Sequence, residues 1–211
     1  MRLNTIIDML KGGNTALDIG TDHAYVLIEG IKRGYIQKGI ACDINKGPLE
    51  KAKTNIKEAG LSDQITTVLS NGFTNIKDPY DIVIITGLGY HVIREILKQK
   101  HNPPQKYIIS THSKLTDLRL FLSENNYKII DELVVYDKTY YVIFSVIKDT
   151  QKLSEEEIYL GPVLMKSKSS LPYYRHLLDH TNEIIKKAKD KASNDIIKLN
   201  HYLKKHMNES F

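Results

Sequence analysis

Polar side chains that could bind a ligand follow a short apolar segment near the start of the chain. Residues 15–25 read Thr-Ala-Leu-Asp-Ile-Gly-Thr-Asp-His-Ala-Tyr. The apolar residues of this stretch suit a buried parallel strand. Four of its residues have little packing purpose there: Asp18, Gly20, Asp22 and His23. Because ligands bind at the carboxyl ends of parallel strands, we interpret the stretch as a ligand loop.

The spacing of glycines in this loop separates two classes of cofactor. A dinucleotide loop uses Gly-x-Gly-x-x-Gly so that backbone amides can approach a pyrophosphate. Here Gly20 is followed by Asp22 and Tyr25 at the other two glycine positions. A carboxylate at Asp22 would repel a phosphate but suits the sulfonium and ammonium groups of S-adenosylmethionine, so the loop favours that cofactor. The alternative interpretation is that Asp18 and Asp22 only cap the following helix.

Three later segments place further polar or small residues at strand ends. Asp43 lies near the end of segment 39–44 and suits both ribose hydroxyls of an adenosine, which need a bidentate acceptor. Asn71 follows segment 64–69 and could read an adenine ring, although Asn-Gly is equally typical of a plain turn. Two glycines after segment 80–85 leave room for a flat group beside the reactive methyl. The predicted cofactor-binding residues are Asp18, Gly20, Thr21, Asp22, Asp43, Ile44, Asn71, Gly72, Gly87, Leu88 and Gly89.

The order of these segments predicts an α/β fold. Apolar strands alternate with amphipathic helices, of which the first is expected at residues 2–11 and the second at residues 23–33. A fifth strand at 106–110 is followed by a helix and by a hairpin with strands at 127–135 and 139–147. We therefore predict the Rossmann-like, seven-stranded sheet of class I methyltransferases, in which a terminal hairpin follows five βα units.

The composition is that of an ordinary globular protein, with 41% hydrophobic and 26% charged residues in a chain of 211. No apolar run approaches the roughly 20 residues that span a bilayer, and residues 1–20 lack the apolar core of a signal peptide. We therefore expect a cytoplasmic protein without membrane contact. The 8 histidines are scattered and the single cysteine, Cys42, lies in a predicted strand. We expect no metal site and a reduced, buried thiol.

The last quarter of the chain differs from the rest in charge. Residues 159–211 contain 10 basic and 5 acidic residues, which account for the whole net charge of +5. Residues 149–158 are acidic and polar, so we interpret them as a linker. The predicted domains are a cofactor-binding domain at 1–150 and a helical, basic domain at 151–211.

From Pro172 onward, apolar residues recur at helical spacing and predict a coiled-coil-like extension. It could be a hairpin of two helices or one kinked rod. Its lysines should lie away from the apolar seam: Lys186, Lys187, Lys189, Lys198, Lys204 and Lys205. Such a surface suits a polyanion, and a solvated helix face explains the charge equally well.

These motifs together resemble one family, the bacterial tRNA (adenine(22)-N1)-methyltransferases, or TrmK family. Residues 18–25 resemble its first motif nearly residue for residue, Asp43 falls on its second-strand acid, and residues 87–90 match its strand-four signature in part. Further segments that resemble the family are Leu118-Arg119 with Leu122, Tyr140-Tyr141 and residues 161–164. The likeness of motifs covers roughly residues 1–165. The tail resembles the family only in its general helical character.

Three positions depart from the family pattern. Asn71 stands where the family usually has Asp, and Tyr90 replaces the last glycine of the strand-four signature. Ser110-Thr111-His112 replaces a Gln-Pro-Asn segment. The resemblance implies that the chain uses S-adenosylmethionine to methylate N1 of adenine 22 in tRNA, and we expect it to act as a monomer.

The implied reaction assigns roles to the residues of the first loop. N1 of adenine carries its own lone pair, so attack needs positioning rather than prior deprotonation. We expect Asp22 to stabilise the positive charge that develops on the base, with His23 and Tyr25 shaping the pocket. Tyr90 could stack on the flipped base. The expected tRNA contacts are Lys166, Arg175, Lys186, Lys187 and Lys198.

Other interpretations of the same residues stay open. Asp22 could bind only the ammonium group of the cofactor, and Tyr90 could simply be packed. The chain could methylate another RNA base, a small molecule or a protein, or it could be an RNA-binding module that keeps the fold without chemistry. The missing glycines argue against a dinucleotide oxidoreductase.

Overall fold

The computed structural model describes residues 2–188 and 191–209. Its centre is a seven-stranded sheet with the strand order β3-β2-β1-β4-β5-β7-β6. Strands β1 to β5 are parallel, and β7 runs antiparallel to both β5 and β6. This order confirms the predicted methyltransferase topology. The strands are β1 (Thr15–Ile19), β2 (Lys38–Asp43), β3 (Ile65–Leu69), β4 (Ile82–Thr86), β5 (Lys106–Thr111), β6 (Tyr127–Asp137) and β7 (Thr139–Lys148).

Helices pack on both faces of this sheet. They are α1 (Arg2–Asp8), α2 (Tyr25–Lys32), α3 (Lys46–Glu58), α4 (Tyr90–Lys98), α5 (Leu115–Glu124), α6 (Glu155–Leu160), α7 (Leu171–Ala188) and α8 (Asn194–Glu209). The first two are shorter than predicted, because turns follow Asp8 and precede Tyr25. Within residues 2–188 and 191–209, no helix is long and apolar enough to cross a membrane.

The alternation of side chains along the strands produces two hydrophobic cores. On one face, Leu17 and Val83 join a cluster that includes residues of α4 and α5. On the other face, Ala16 and Ile84 join a cluster with α1, α2 and α3. Successive residues of one strand therefore serve different layers, as the two-residue period of a strand requires.

The chain after the sheet is not the predicted linker. Residues 155–160 form α6, and its first turn is closed by a capping box: Ser154 Oγ accepts from the Glu157 amide, and the Glu157 carboxylate accepts from the Ser154 amide. Tyr159 and Leu160 are buried. The acidic character of this segment is that of a helix N-terminus, where carboxylates are favourable, rather than that of a flexible connection.

The two C-terminal helices form an antiparallel hairpin. Asn200 of α8 donates to Thr181 Oγ1 and Asn182 Oδ1 of α7, each at 2.9 Å. Near the other end, the rings of Tyr174 and His206 lie 5.2 Å apart. The hairpin alternative is therefore confirmed over the kinked rod. Lys189, which was predicted to face away from the seam, lies outside the described residues.

The hairpin shares a core with the sheet. Tyr174 and Leu203 belong to the same buried cluster as Leu17 of β1 and Tyr107 of β5. The Tyr174 hydroxyl donates to the Leu160 carbonyl at 2.7 Å and so ties α7 to the end of α6. Removing the tail would therefore expose apolar surface of the cofactor-binding part of the chain.

A buried ion pair joins the tail to the sheet. Arg119 of α5 donates to Glu132 of β6 at 2.8 Å, and the two side chains are 2% and 0% exposed. Arg119 Nη1 also donates to the Tyr159 carbonyl at 3.2 Å. Glu132 Oε2 accepts from the Val163 amide at 2.9 Å. The pair therefore holds the backbone on both sides of Gly161, and we call it the buried junction.

Gly161 leaves the space that this junction needs. Its φ is +100°, a conformation that L side chains rarely adopt, and a Cβ there would lie 2.6 Å from Glu132 Oε2 and 2.8 Å from Arg119 Nη2. Any side chain at this position would displace the charged groups. The resemblance of residues 161–164 to a family segment thus has a packing reason.

Candidate active site at the carboxyl edge of the sheet

The predicted ligand loops converge at one edge of the sheet. The backbone amides of Gly20 and Thr21 both donate to the Cys42 carbonyl, at 2.8 and 3.0 Å, which ties the loop after β1 to the end of β2. The Ser70 amide donates to the Asp43 carbonyl at 2.9 Å, which ties the end of β2 to the loop after β3. The residues predicted from separate segments are therefore held side by side.

Asp18 is a carboxyl group buried under this loop, with 6% of its surface exposed. Burial raises its pKa to about 6, a hydrogen bond from the Thr21 side chain acts in the opposite direction, and the charge of Asp43 raises the pKa slightly. The Thr21 hydroxyl in turn accepts from the Ala24 amide at 3.2 Å. A cationic ligand group at this place would favour the ionised carboxylate.

The alternative role of Asp18 and Asp22 as helix caps is wrong. Ala24 occupies the N-cap position of α2 with a left-handed backbone, and in the part of the chain that the structure describes no side chain caps this helix. Asp22 instead lies 2.9 Å from His23 Nε2, and its side chain is 65% exposed. Its carboxylate is therefore held by a neighbouring imidazole and accessible at the surface.

His23 is positioned from both sides. Its ring stacks on that of Tyr25 with 5.1 Å between centroids and 14° between planes. Its carbonyl accepts from the Asn55 side chain of α3 at 3.0 Å. Tyr25 is 50% exposed, so the stack forms part of the outer wall of the loop. The structure thus brings the side chains of Asp22, His23 and Tyr25 into contact, and their catalytic roles stay a prediction.

The end of β2 presents an acid beside an exposed apolar residue. Asp43 Oδ1 accepts from the Asn45 amide at 2.7 Å, which fixes the orientation of the carboxylate. Ile44 is 60% exposed. A carboxylate next to an apolar side chain matches a ribose next to the face of an adenine ring. Asn45 occupies the N-cap position of α3, and its side chain makes no capping hydrogen bond within the described ranges.

The loop after β3 is a tight turn with an exposed Asn71 side chain. The Asn71 carbonyl accepts from Thr74 Oγ1 at 2.8 Å, and Gly72 has a φ of +59°. Gln99 supports the turn, since its Oε1 accepts from the Phe73 amide at 2.7 Å. A cleft of about 560 Å³ lies between Asn71 and the exposed face of α4. The turn and the ring-reading role of Asn71 are compatible, and the latter stays a prediction.

The loop after β4 forms the open side of the site. Among the described residues, no heavy atom lies within 4 Å of a Cβ built on Gly87 or Gly89. Leu88 points back over the first loop, and its methyl carbon lies 3.1 Å from a Cβ built on Gly20. Gly20 is therefore needed for close packing as well as for its φ of +82°. Space is left on the side where a substrate would approach.

Tyr90 begins α4 beside this opening and is half-buried. Its ring centroid lies 5.9 Å from the Arg94 guanidinium and 6.0 Å from the Lys114 ammonium. Lys114 Nζ also lies 3.2 Å from His91 Nε2. Sequence reasoning missed Lys114 and His91. The order of the strands could have indicated them, because the loop after β5 must lie next to the loop after β4.

Ser110 is a further residue that the sequence-based site did not include. It is the penultimate residue of β5 and pairs with Thr86 of β4, is 1% exposed, and its hydroxyl has no hydrogen-bond partner among the described residues. Cys42, in contrast, is a closed packing residue: burial raises the pKa of its thiol to about 12. No group of three or more His, Cys, Asp or Glu side chains within residues 2–188 and 191–209 could hold a metal ion.

The residues predicted to contact tRNA lie on the tail, outside this edge. Lys166, Arg175 and Lys186 are exposed. Two others already have acidic neighbours: Lys187 Nζ lies 3.4 Å from Glu183, and Lys198 Nζ lies 2.5 Å from Glu155 of α6. The positive field of the tail is therefore weaker near Lys187 and Lys198 than the lysine count implies.

Comparison with known protein families agrees with the resemblance that the motifs at this edge indicated. The sequence profile of the tRNA (adenine(22)-N(1))-methyltransferases matches residues 16–209. The chain belongs to the TrmK family. The match includes the tail, for which the sequence motifs gave a likeness in character only.

Individual TrmK relatives agree in sequence and in structure. The tRNA (adenine(22)-N(1))-methyltransferase of Bacillus subtilis is 27% identical over 207 residues, which cover 92% of this chain and 87% of the relative. The structure of M. capricolum TrmK in complex with S-adenosyl-homocysteine has a TM-score of 0.85 at 31% identity, over 99% of this chain and 97% of that one. Streptococcus pneumoniae Sp1610 in complex with S-adenosyl-L-methionine has a TM-score of 0.85 at 24% identity, over 98% of each chain.

Membership of the TrmK family confirms the predicted cofactor and activity, S-adenosylmethionine-dependent methylation of tRNA at N1 of an adenine. The residues present at the edge fit that cofactor. Asp18 offers a buried carboxyl without a cationic partner among the described residues, Asp43 offers a fixed carboxylate, and Gly87 lies beside open space. The dinucleotide alternative is therefore excluded by family as well as by the missing glycines.

Proposed function

We propose that this chain methylates N1 of adenine 22 in tRNA at the edge formed by the loops after β1, β2, β3 and β4. The observation that carries the proposal is the gathering of Asp18, Asp22 and Asp43 around a side left open by Gly87 and Gly89. Carboxylates suit the cationic groups of the methyl donor, and the glycine loop admits a flat base.

Each cofactor contact is assigned to a chemically matched group. Asp43 accepts from the ribose hydroxyls, Ile44 packs on the adenine, and Asn71 reads its edge. Asp18 is assigned to the ammonium group of the cofactor, because a nearby cation offsets the free-energy cost of ionising a buried acid. The full proposed set is Asp18, Gly20, Thr21, Asp22, Asp43, Ile44, Asn71, Gly72, Gly87, Leu88 and Gly89.

The bound cofactor supplies an electrophilic methyl group, and the protein supplies geometry and charge. N1 of adenine is a neutral nucleophile, so the site must hold it in line rather than remove a proton first. The adenine becomes cationic as the new bond forms, and the Asp22 carboxylate stabilises that charge. His23, 2.9 Å from Asp22, keeps the carboxylate oriented, and Tyr25 holds His23 by stacking.

Replacing Asp22 separates this role from simple cofactor binding. Asp22→Asn keeps the shape but removes the charge, so we expect the kcat to fall on the order of a hundredfold while the Kd for S-adenosylmethionine changes little. Single-turnover methylation and calorimetry measure the two quantities. Asp63→Asn, at the exposed opposite edge of the sheet, serves as the matched control. An equal loss in both quantities would assign Asp22 to the ammonium instead.

Tyr90 is proposed to stack on the adenine once it has left the RNA stack. N1 is hidden in a paired or stacked base, so the target must be flipped toward the open loop. Tyr90→Phe keeps the ring and should retain activity, whereas Tyr90→Ala should lose most of it. Full activity of the alanine variant would show that Tyr90 is only a packing residue.

The tail is proposed to hold the phosphates of folded tRNA. The contacts are Lys166, Arg175, Lys186, Lys187 and Lys198, which position the RNA without reading its sequence. Deleting the tail is a poor test, because Tyr174 and Leu203 belong to the common core. Replacing exposed lysines one at a time and measuring the salt dependence of tRNA binding keeps the fold intact.

We further propose a division of labour between residues 1–150, for cofactor and chemistry, and residues 151–211, for RNA. We also propose that the enzyme acts as a monomer in the cytoplasm, where tRNA is found. Exposed large apolar residues such as Ile44, Ile130 and Ile197 lie on separate elements rather than in one patch, which supports the monomer. Sedimentation equilibrium should give the mass of one chain.

The decisive experiment is methyl transfer from labelled S-adenosylmethionine to unmodified tRNA. We expect incorporation into a transcript with adenine at position 22 and none into the same transcript with guanine there, because N1 of guanine carries a proton. Incorporation into both would move the target to another base. Cofactor binding without incorporation into any tRNA would support a small-molecule methyltransferase or a non-catalytic RNA-binding module.

A further inference from the structure

The β6–β7 hairpin projects beyond the edge of the sheet that holds the active site. β5 ends at Thr111, which pairs with Val142 of β7. The two strands of the hairpin continue to pair beyond this point, Val135 with Tyr141 and Tyr136 with Tyr140. The carboxyl end of β5 lies next to the end of β4, so the tip of the hairpin forms a wall beside the open glycine loop.

One side of this wall carries a layered group of aromatic rings. Tyr173 of α7 is buried, and the ring of Tyr140 lies 5.3 Å from it. The ring of Tyr136 lies 5.0 Å from Tyr140, and Tyr136 is 59% exposed. The exposed His176 of α7 adds a ring 5.0 Å from Tyr140. The outermost ring is therefore held by a packed support and still presents its surface to solvent.

Exposing aromatic surface to water is unfavourable in free energy. A partner that covers the surface removes this cost. Exposed rings held by buried rings lose little conformational entropy on binding, which is typical of recognition surfaces. Every nucleobase has a face that can stack on such a ring. Exposed basic residues neighbour these rings along the chain, namely Lys138 in the turn and Arg175 next to His176 in α7, and the acidic Asp137 ends β6. The tail that includes α7 carries the whole positive excess of the chain.

We propose that Tyr136, Tyr140 and His176 form a stacking platform for unpaired bases that neighbour the target adenine in the RNA. The inference rests on the proposed function and names a recognition surface for that same site. Flipping one adenine out of a folded RNA leaves adjacent bases without part of their stacking. A platform on the wall beside the open loop replaces some of that stacking and so lowers the cost of reaching N1.

Kinetics of Tyr136 variants test the platform with little risk to the fold, because this side chain is 59% exposed. For Tyr136→Ala we expect the KM for tRNA to rise roughly fivefold to tenfold, the loss expected for one stacked base, with kcat at saturating tRNA unchanged. The Kd for S-adenosylmethionine should not change, and Tyr136→Phe should behave as the parent protein. Tyr35→Ala is the matched control, since Tyr35 is a half-buried tyrosine at the opposite edge beside Lys11.

A second measurement uses the absence of tryptophan from this sequence. Tyr136→Trp introduces one fluorophore on the platform, and stacking on a base quenches indole emission. We expect quenching by unmodified tRNA and much less by a fully paired RNA duplex of the same length, which offers no unstacked base. This readout does not depend on turnover, so it reports on the platform even in a preparation that is catalytically inactive.

The outcomes separate the platform from the activity. If the parent enzyme methylates tRNA while Tyr136→Ala keeps the KM within twofold and Trp emission is unaffected by tRNA, the platform is wrong and the proposed function stands. If tRNA quenches the emission but no variant or parent transfers a methyl group, the RNA surface stands and the activity is wrong. Equal quenching by tRNA and duplex would indicate simple proximity to RNA and would overturn base stacking.

Discussion

In the part of the chain that the structure describes, charged groups are buried at two places, and the two are built differently. At the carboxyl edge, Asp18 is 6% exposed and receives a hydrogen bond from Thr21, and burial raises its pKa to about 6. At the buried junction, the side chains of Arg119 and Glu132 are 2% and 0% exposed and bind one another. Backbone groups of the tail bind both members of the junction, and Arg119 Nη2 has no hydrogen-bond partner among the described residues. The carboxyl at the edge has no cation beside it in the same part of the chain.

From this difference we propose that burial at the junction serves stability and that burial at the edge serves binding. A buried acid without a cation costs free energy in the empty protein, and that cost is recovered when a cationic ligand arrives. A buried pair whose members also bind backbone groups positions the tail against the sheet, and removing either member leaves an uncompensated charge. Substitutions at the two places should therefore change stability in opposite directions.

The largest expected effect is the loss of one member of the junction. Glu132→Ala leaves the Arg119 guanidinium buried without its carboxylate, so we expect the free energy of unfolding to fall by about 3–5 kcal/mol. Urea denaturation followed by circular dichroism measures this. Glu50→Ala is the control, since the exposed Glu50–Lys53 pair should contribute less than about 1 kcal/mol. Similar losses for both variants would contradict a structural role for the junction.

Asp18→Asn should have the opposite sign. The folded pKa of about 6 lies above the ordinary value of 3.8, so the folded protein holds the Asp18 proton more tightly than the unfolded chain does. The resulting penalty is absent below about pH 4, grows between pH 4 and 6, and is complete above pH 6. We therefore expect Asp18→Asn to stabilise the ligand-free protein at pH 7 by up to about 3 kcal/mol.

The same variant tests the ligand side of the comparison. The stabilisation should disappear when unfolding is measured at pH 4, while the Kd for S-adenosylmethionine at pH 7 should rise. Parallel denaturation curves at the two pH values and calorimetry supply the measurements. A variant that is destabilised at pH 7, or that binds the cofactor as tightly as the parent protein, would remove Asp18 from the binding role.

Gly161→Ala should disturb the junction without removing a charge. The new methyl group adopts an unfavourable φ and meets Glu132 Oε2 at 2.6 Å. Gly34→Ala is a matched control, because Gly34 has a φ of +68° and no neighbour within 4 Å among the described residues. We expect the control to cost about 1 kcal/mol from backbone strain and Gly161→Ala to cost about 1–2 kcal/mol more. Thermal unfolding of both variants gives the difference, and equal costs would mean that the junction has room to adjust.

The smallest expected effects concern the lysines of the tail. Lys186 is exposed on α7, whereas Lys198 of α8 is paired with Glu155. We expect Lys186→Ala to weaken tRNA binding about twofold to threefold and to lower the salt slope by about one, as the loss of one phosphate contact does. Lys198→Ala should change the affinity for tRNA and the salt slope less than Lys186→Ala does. Filter binding between 50 and 200 mM salt provides the test, and a larger effect at Lys198 would mean that it leaves Glu155 to bind RNA.

The sequence by itself predicted which polar residues meet at the carboxyl edge of the sheet. Asp18, Gly20, Asp22 and Asp43 follow apolar strands within a few residues, and in a parallel sheet all such positions must meet at one edge. The order of strands and helices then determined the topology, because few connections are compatible with it. Such inferences succeed because each depends on short-range pattern and on a general rule of sheet geometry.

Only the tertiary structure decided how the rest of the chain is used. Residues 149–158 are polar, and the spacing of Ser154 and Glu157 is a local sign of a helix start. The pairing of Glu155 and Glu156 with Lys198 and Lys205 of a later helix is visible only in the tertiary structure. Arg119 and Glu132 belong to different elements, and their burial requires the tail that packs over them. The ring of Tyr136 is supported through Tyr140 by Tyr173 of α7. Contacts between distant segments depend on packing in three dimensions, which the periodicity of one segment does not encode.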